Sequence, residues 1–133
     1  MDPNPYSTGP TRVVVLSQHA GVRGRLVEYL ARSPRLDVIS GRCDLKVVRA
    51  AGAGVIVLDL SRVQPTTLEA MLAVAAELKA RVIALASIRD PEQERAVRAA
   101  GGVYRLKAVG DGDLADIVLA NADGHEPTRS RSA

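Results

Sequence analysis

A chain of 133 residues with a net charge of +3, one cysteine and no Phe or Trp has the size of one domain, with a core that must come from Val, Leu, Ile and Ala. The lone Cys43 excludes an internal disulfide and a cysteine-rich metal site, and three tyrosines argue against nucleic-acid binding by base stacking. No apolar stretch approaches membrane-spanning length, and Met1-Asp-Pro-Asn-Pro5 lacks a signal-peptide layout, so a soluble cytoplasmic protein is expected.

Residues 1–11 hold three prolines among Ser, Thr and Gly and read as a disordered arm. The run Arg12–Leu16 reads as a strand that stops at Ser17 and Gln18. A helix near Val22–Arg32 follows, with Val22, Leu26, Tyr29 and Leu30 on one face, and Pro34 lies beyond its end. Leu36–Ile39 is the second strand. The second helix starts near Asp44, presents Leu45 and Val48, and stops before Gly52. Val55–Leu58 is the third strand and runs into Asp59. Thr66 and Glu69 have capping-box spacing at the head of a third helix that turns Leu68, Met71, Leu72, Ala75 and Leu78 inward. Arg81–Ala86 is the fourth strand and ends at Ser87. Asp90 caps a fourth helix with Pro91 in its first turn, and Gly101 closes it. Val103–Leu106 is the fifth strand and ends at Lys107. The fifth helix opens near Asp111 and buries Leu114, Ile117 and Val118. Residues 123–133 have no apolar residue before the last alanine and read as a disordered tail.

Strand-helix alternation with short links predicts one domain over residues 12–122, a parallel sheet covered on both faces. The expected architecture is the flavodoxin-like (βα)5 three-layer sandwich with strand order 2-1-3-4-5. Ligands of such sheets sit at the carboxyl edge. Ser17, Asp59, Ser87 and Lys107 each stand where an apolar run stops, so all four gather there. An aspartate, a hydroxyl and a lysine in one place read as a phosphoryl-acceptor site. No glycine-rich phosphate loop follows the first strand, and no catalytic triad, paired catalytic carboxylates or metal-ligand spacing is present, so an ordinary enzyme is not expected. Residues 12–49 carry eight Lys/Arg against three Asp/Glu. That excess reads as a solvated face or as a docking surface for an acidic partner or DNA.

The ordered set of Arg12-Val-Val-Val-Leu16, Ala31-Arg-Ser-Pro-Arg-Leu-Asp-Val-Ile39, Val57-Leu-Asp-Leu60 and Ala99-Ala-Gly-Gly-Val-Tyr-Arg-Leu-Lys107 resembles a response-regulator receiver domain of the NarL/FixJ-like branch. The resemblance implies a two-component signalling module with Asp59 as phospho-acceptor. It makes Ser87 the switch hydroxyl, Lys107 its cationic partner, and Tyr104 an aromatic switch that turns inward on activation. It also implies partners: a histidine kinase, an output domain or another regulator. Self-association is implied through the fourth helix, fifth strand and fifth helix, which carry Arg95, Arg98, Tyr104, Arg105, Asp113 and Asp116. The family's acidic magnesium-binding pair is replaced by Ser17 and Gln18. Magnesium relies on carboxylates and water, so it is expected to bind weakly, with no other cofactor. Ile88 follows Ser87 where the family prefers a small residue, which would crowd access. The 11 residues of the tail are too few for the helix-turn-helix that NarL-like regulators append, so direct DNA binding is not expected of this domain.

Three readings stand side by side. The chain is a degenerate receiver that works as a protein-interaction module, with weak or no magnesium-dependent phosphorylation. Alternatively, it is a conventional phospho-acceptor at Asp59. Third, Asp59-Leu-Ser-Arg-Val63 followed by a helix resembles the core of STAS anti-sigma-factor antagonists, although Thr66 and Thr67 stand where their serine would be. Beside these, Asp59 and Lys107 read equally as a structural ion pair, Ser87 as a cap before the fourth helix and Tyr104 as edge-strand packing. His19 reads as a rim residue, and Cys43 as a small apolar filler.

Overall fold

The computed structural model describes residues 10–107 and 114–122. Five strands, β1 (Thr11–Leu16), β2 (Leu36–Gly41), β3 (Val55–Asp59), β4 (Arg81–Ala86) and β5 (Val103–Leu106), alternate with five helices. These are α1 (Ala20–Leu30), α2 (Leu45–Ala51), α3 (Pro65–Leu78), α4 (Pro91–Ala99) and α5 (Leu114–Ala122). All strand pairs are parallel, and the order is β2-β1-β3-β4-β5. This is the flavodoxin-like sandwich that the alternation predicts.

Strand alternation divides the core into two layers. Val14, Leu16, Ile56, Leu58 and Ala84 face Val48 of α2, Leu68, Met71 and Ala75 of α3 and Val97 of α4. Val13, Val15, Val55, Val57 and Ile83 face Leu26 and Leu30 of α1 and Leu114 and Val118 of α5. The three central strands are therefore apolar on both faces, and their branched residues are almost wholly buried. At roughly 1.5–3 kcal/mol for each large apolar side chain, this double layer is the main stabilising contribution.

The heads of α2 and α4 follow capping chemistry, whereas those of α1 at His19 and α3 have no side-chain cap bond. Asp44 accepts the Lys46 N–H at 2.8 Å at the head of α2. Asp90 accepts the N–H groups of Glu92 and Gln93 at 3.0 and 3.2 Å at the head of α4. The capping box expected at Thr66 and Glu69 does not form. The cap position of α3 is Gln64, without a side-chain bond, and Pro65 occupies the first helical position. A proline there removes an orphan N–H and presets φ, so the helix starts two residues earlier than the box implied. Leu78, expected inside, is 42% exposed, because α3 ends beside it and Lys79 turns left-handed at φ 59°. β1 begins at Thr11 and β2 runs to Gly41, so both strands exceed their expected bounds. The expected opening of α5 at Asp111, the arm up to Gly9 and the tail from Asp123 lie outside the described residues.

Candidate functional site

The sheet register determines what can meet at the carboxyl edge. Leu16 pairs with Leu58, so Ser17 and Asp59 are the next neighbours along β1 and β3. Ala86 pairs with Leu106, which brings Ser87 beside Lys107. Val13 and Val15 share one face with Val55 and Val57, so strand parity puts Ser17 and Asp59 on the same side.

Asp59 is fully buried, and both carboxylate oxygens are engaged. Oδ1 accepts from Lys107 Nζ at 2.7 Å and from the Ser61 N–H at 3.1 Å. Oδ2 accepts from Ser17 Oγ at 2.7 Å. Burial pushes the Asp59 carboxyl up, but the hydrogen bonds from Lys107, Ser17 and Ser61 outweigh it and hold the group below the usual aspartate range. The carboxylate is thus ionised, with both oxygens hydrogen-bonded. Lys107 reaches it from the rim with 26% of its side chain exposed and also donates to Ser61 Oγ at 3.2 Å.

Ser17 is as buried as Asp59. Its one hydroxyl proton goes to the carboxylate, and its oxygen accepts the His19 N–H at 3.0 Å. The Ser17 carbonyl accepts from Arg23 Nη1 at 2.7 Å, which ties the first turn of α1 to the end of β1. Gln18 turns sideways: its Oε1 accepts the Cys43 N–H at 3.4 Å on the β2–α2 loop. The Cys43 thiol lies 4.0 Å from the Asp59 carbonyl oxygen. Burial first, and then the Asp59 charge, push that thiol up to about 11 against the pull of Arg23 and Arg42. It is a protonated packing group rather than a nucleophile. His19 is half-buried beside Ser17, with no metal partner: among the described residues no cluster of three His, Cys, Asp or Glu could hold an ion.

Across the edge the arrangement is open. Ser87 is exposed and makes no hydrogen bond to a described residue. It lines a shallow cleft of about 190 Å³ with Leu60, Ser61, Ala86, Ile88 and Gln93. That space is smaller than a usual small-molecule pocket of roughly 300–1,000 Å³. Ile88, expected to crowd access, instead projects outward and is 81% exposed. Tyr104 is buried and turned inward, and its hydroxyl accepts the Asp90 N–H at 2.9 Å, linking β5 to the cap of α4.

Ser17, Asp59 and Lys107 therefore meet directly, whereas Ser87 and Tyr104 stand on the neighbouring side. Sequence reasoning missed Ser61 and Arg23. Ser61 had a readable signal, since an aspartate at a strand end commonly accepts the N–H two residues on in an Asx-turn. Arg23 had none, because its contact goes to a backbone carbonyl.

No protein-family model and no curated protein matches the chain. Solved structures do match. The signal receiver domain of a NarL response regulator from Mycobacterium tuberculosis is 23% identical, with a TM-score of 0.71, covering 87% of this chain and 98% of that one. The isolated receiver domain of RcsB from Salmonella enterica serovar Typhimurium is 18% identical, with a TM-score of 0.72 and coverage of 92% and 98%. A pilus assembly-related protein from Burkholderia pseudomallei is 17% identical, with a TM-score of 0.73 and coverage of 93% and 98%. The chain shares the fold of these three structures, two of them receiver domains, over nearly their whole length. Nothing in its strand order favours the STAS-like alternative. Among the described residues no helix is long and apolar enough to cross a membrane.

Proposed function

We propose that the protein is a receiver-type signalling module that acts by binding a protein partner, with weak or no magnesium-dependent phosphorylation of Asp59. One observation carries this reading: the Ser17 hydroxyl sits 2.7 Å from Asp59 Oδ2, on the oxygen left over by Lys107 and Ser61. Magnesium keeps several waters and relies on one or two carboxylates. Asp59 is the one carboxylate of the set and is already paired with Lys107, with Ser17 and Gln18 beside it as neutral groups, and Gln18 is bonded to the Cys43 N–H. Such a donor set holds magnesium weakly.

The consequence is electrostatic. A phosphoryl donor arrives with several negative charges, and without a metal its approach to an ionised carboxylate is opposed. Loss of one well-placed charge contact costs about 3 kcal/mol, roughly a hundredfold in rate. Hydrogen bonds on both oxygens also draw electron density from the nucleophile and weaken its attack. Ser17, Asp59 and Lys107 in this reading hold β1, β3 and β5 in register and keep the edge rigid for a partner.

A second reading keeps Asp59 as a conventional acceptor. The observation that favours it is the Lys107 ammonium on Oδ1, which holds the carboxylate ionised and offers a cation to a transferred phosphoryl group. Intact-mass measurement after incubation with acetyl phosphate, in magnesium and in chelator, separates the two. The proposed function predicts little modification in either condition. Stoichiometric, magnesium-dependent modification that disappears in Asp59→Asn would defeat it.

A further inference from the structure

Among the described residues of the carboxyl edge, most acids have a hydrogen-bond or ion-pair partner, and several cations do not. Asp59 is neutralised by Lys107, Asp44 and Asp90 are taken up as helix caps, and Glu94 is held by Arg89 and Arg98 at 2.9 Å each. Arg42 on the β2–α2 loop and Arg62 on the β3–α3 loop are exposed and make no hydrogen bond or ion pair with a described residue. Arg23 stands on the same edge, where Nη1 bonds the Ser17 carbonyl. Arg42 adjoins Cys43, whose thiol lies 4.0 Å from the Asp59 carbonyl oxygen, and Ser17, whose carbonyl Arg23 holds, bonds the Asp59 carboxylate. Against them, among the described residues, stand Glu92 in the first turn of α4 and the capping carboxylates Asp44 and Asp90, which keep their charge.

Two further features point to this edge. Arg62 has φ 63°, a left-handed conformation that costs a residue with a β-carbon roughly 1–2 kcal/mol and that Gly or Asn would adopt more easily. Strain of that kind concentrates at functional positions. Ile88 is 81% exposed at the mouth of the cleft whose lining includes Leu60 and Ala86. A large apolar side chain in that setting has an unburied face beside a ready concavity.

We propose that the carboxyl edge docks an acidic segment of a partner protein that carries an apolar anchor. Ile88 packs against the anchor, and Arg23, Arg42 and Arg62 face its carboxylates. The inference rests on the partner-binding reading above and locates the contact at the edge where phosphoryl chemistry would occur, rather than on the α4–β5–α5 face. Charge complementarity selects the acidic segment. Ile88 selects a protein over DNA, since a phosphate backbone gives an isoleucine nothing to bury against.

The test is an amide NMR titration of the full chain with a short synthetic peptide of Asp and Glu around two leucines. Saturable shifts are expected in residues 18–24, 41–46, 60–63 and 87–90. Ile88→Ser should weaken binding about tenfold, the loss of one buried aliphatic contact. Arg42→Ser combined with Arg62→Gly should weaken it about tenfold at low salt and flatten its salt dependence. Glycine suits the left-handed position, so that variant keeps its fold. An unmoved spectrum, shifts confined to α4, β5 and α5, equal binding of an all-glutamate peptide, or tighter binding of duplex DNA at the same amides would each overturn the proposal. Magnesium-dependent phosphorylation would defeat the proposed function and leave this titration standing. A silent titration would defeat the docking edge and leave the phosphorylation result standing.

Discussion

On the β1–β3 half of the carboxyl edge, Ser17 and Asp59 are wholly buried, and their side-chain oxygens are joined to Lys107, Ser61, His19 and each other. On the β4 half, Ser87 and Ile88 stand exposed, and Ser87 bonds no described residue. Both halves are built from strand ends of the same sheet: Asp59 is the last ladder residue of β3, and Ser17 and Ser87 stand one residue past theirs. The difference lies in what each chain end does next. Asp59 turns back through the Ser61 N–H and stays inside, while Ser87 leads outward into the cap of α4 at Asp90. A site needs the first half for rigidity and the second for access, and this molecule has invested its polar groups in rigidity.

The contrast can be broken most severely at Lys107. Lys107→Ala leaves a buried carboxylate short of its cation, and urea unfolding should register a loss of roughly 2–3 kcal/mol. That is below the cost for a fully buried pair because Lys107 is 26% exposed. A wild-type midpoint would show that the pair is loose and the edge open on both sides.

Acid probes the same contact with a fixed sign. Asp59 is held below its unfolded value of 3.8, so its contribution is complete above that pH and is lost as pH falls through the lowered folded value. Wild type should therefore lose more stability than Asp59→Asn on acidification below about pH 4, with a constant gap above it. Parallel urea midpoints against pH give the answer, and identical slopes in the two proteins would contradict it.

Ser17→Ala removes the donor to Oδ2 and should cost roughly 1–2 kcal/mol, because the carboxylate oxygen it leaves is buried. Tyr104→Phe removes the acceptor for the Asp90 N–H and should cost about 1 kcal/mol, with increased hydrogen exchange at the start of α4. Ser87→Ala sharpens the comparison from the other side: an exposed hydroxyl without a described partner should change stability by less than about 0.5 kcal/mol. Equal effects of the two serine substitutions would erase the distinction between the halves.

Much of this edge was readable before any coordinates. Apolar runs that stop at Ser17, Asp59, Ser87 and Lys107 give both the strands and their ends, since a buried parallel strand shows itself as an unbroken branched run. Placement of the four at one edge followed from topology, and of them Ser17, Asp59 and Lys107 meet directly. Two kinds of detail stayed hidden. A backbone acceptor has no sequence signature of its own, so the Ser17 carbonyl under Arg23 emerged only in three dimensions, whereas the Ser61 N–H on Asp59 carries the Asx-turn signal of a strand-end aspartate. Side-chain direction beyond the strand end was hidden as well: Gln18 turns to Cys43, and Ile88 turns out to solvent. The false capping box at Thr66 has a local cause, the stronger preference of Pro65 for the first helical position.

The decisive measurement is a magnesium titration followed through the amides of Ser17, Asp59 and Ser61, with beryllofluoride added at the end. Held by lysine and two serines, Asp59 should leave those three resonances where they began at every magnesium concentration and after the phosphoryl mimic. A saturable displacement of all three by magnesium, extended to Ser87 and Tyr104 by beryllofluoride, would contradict the account.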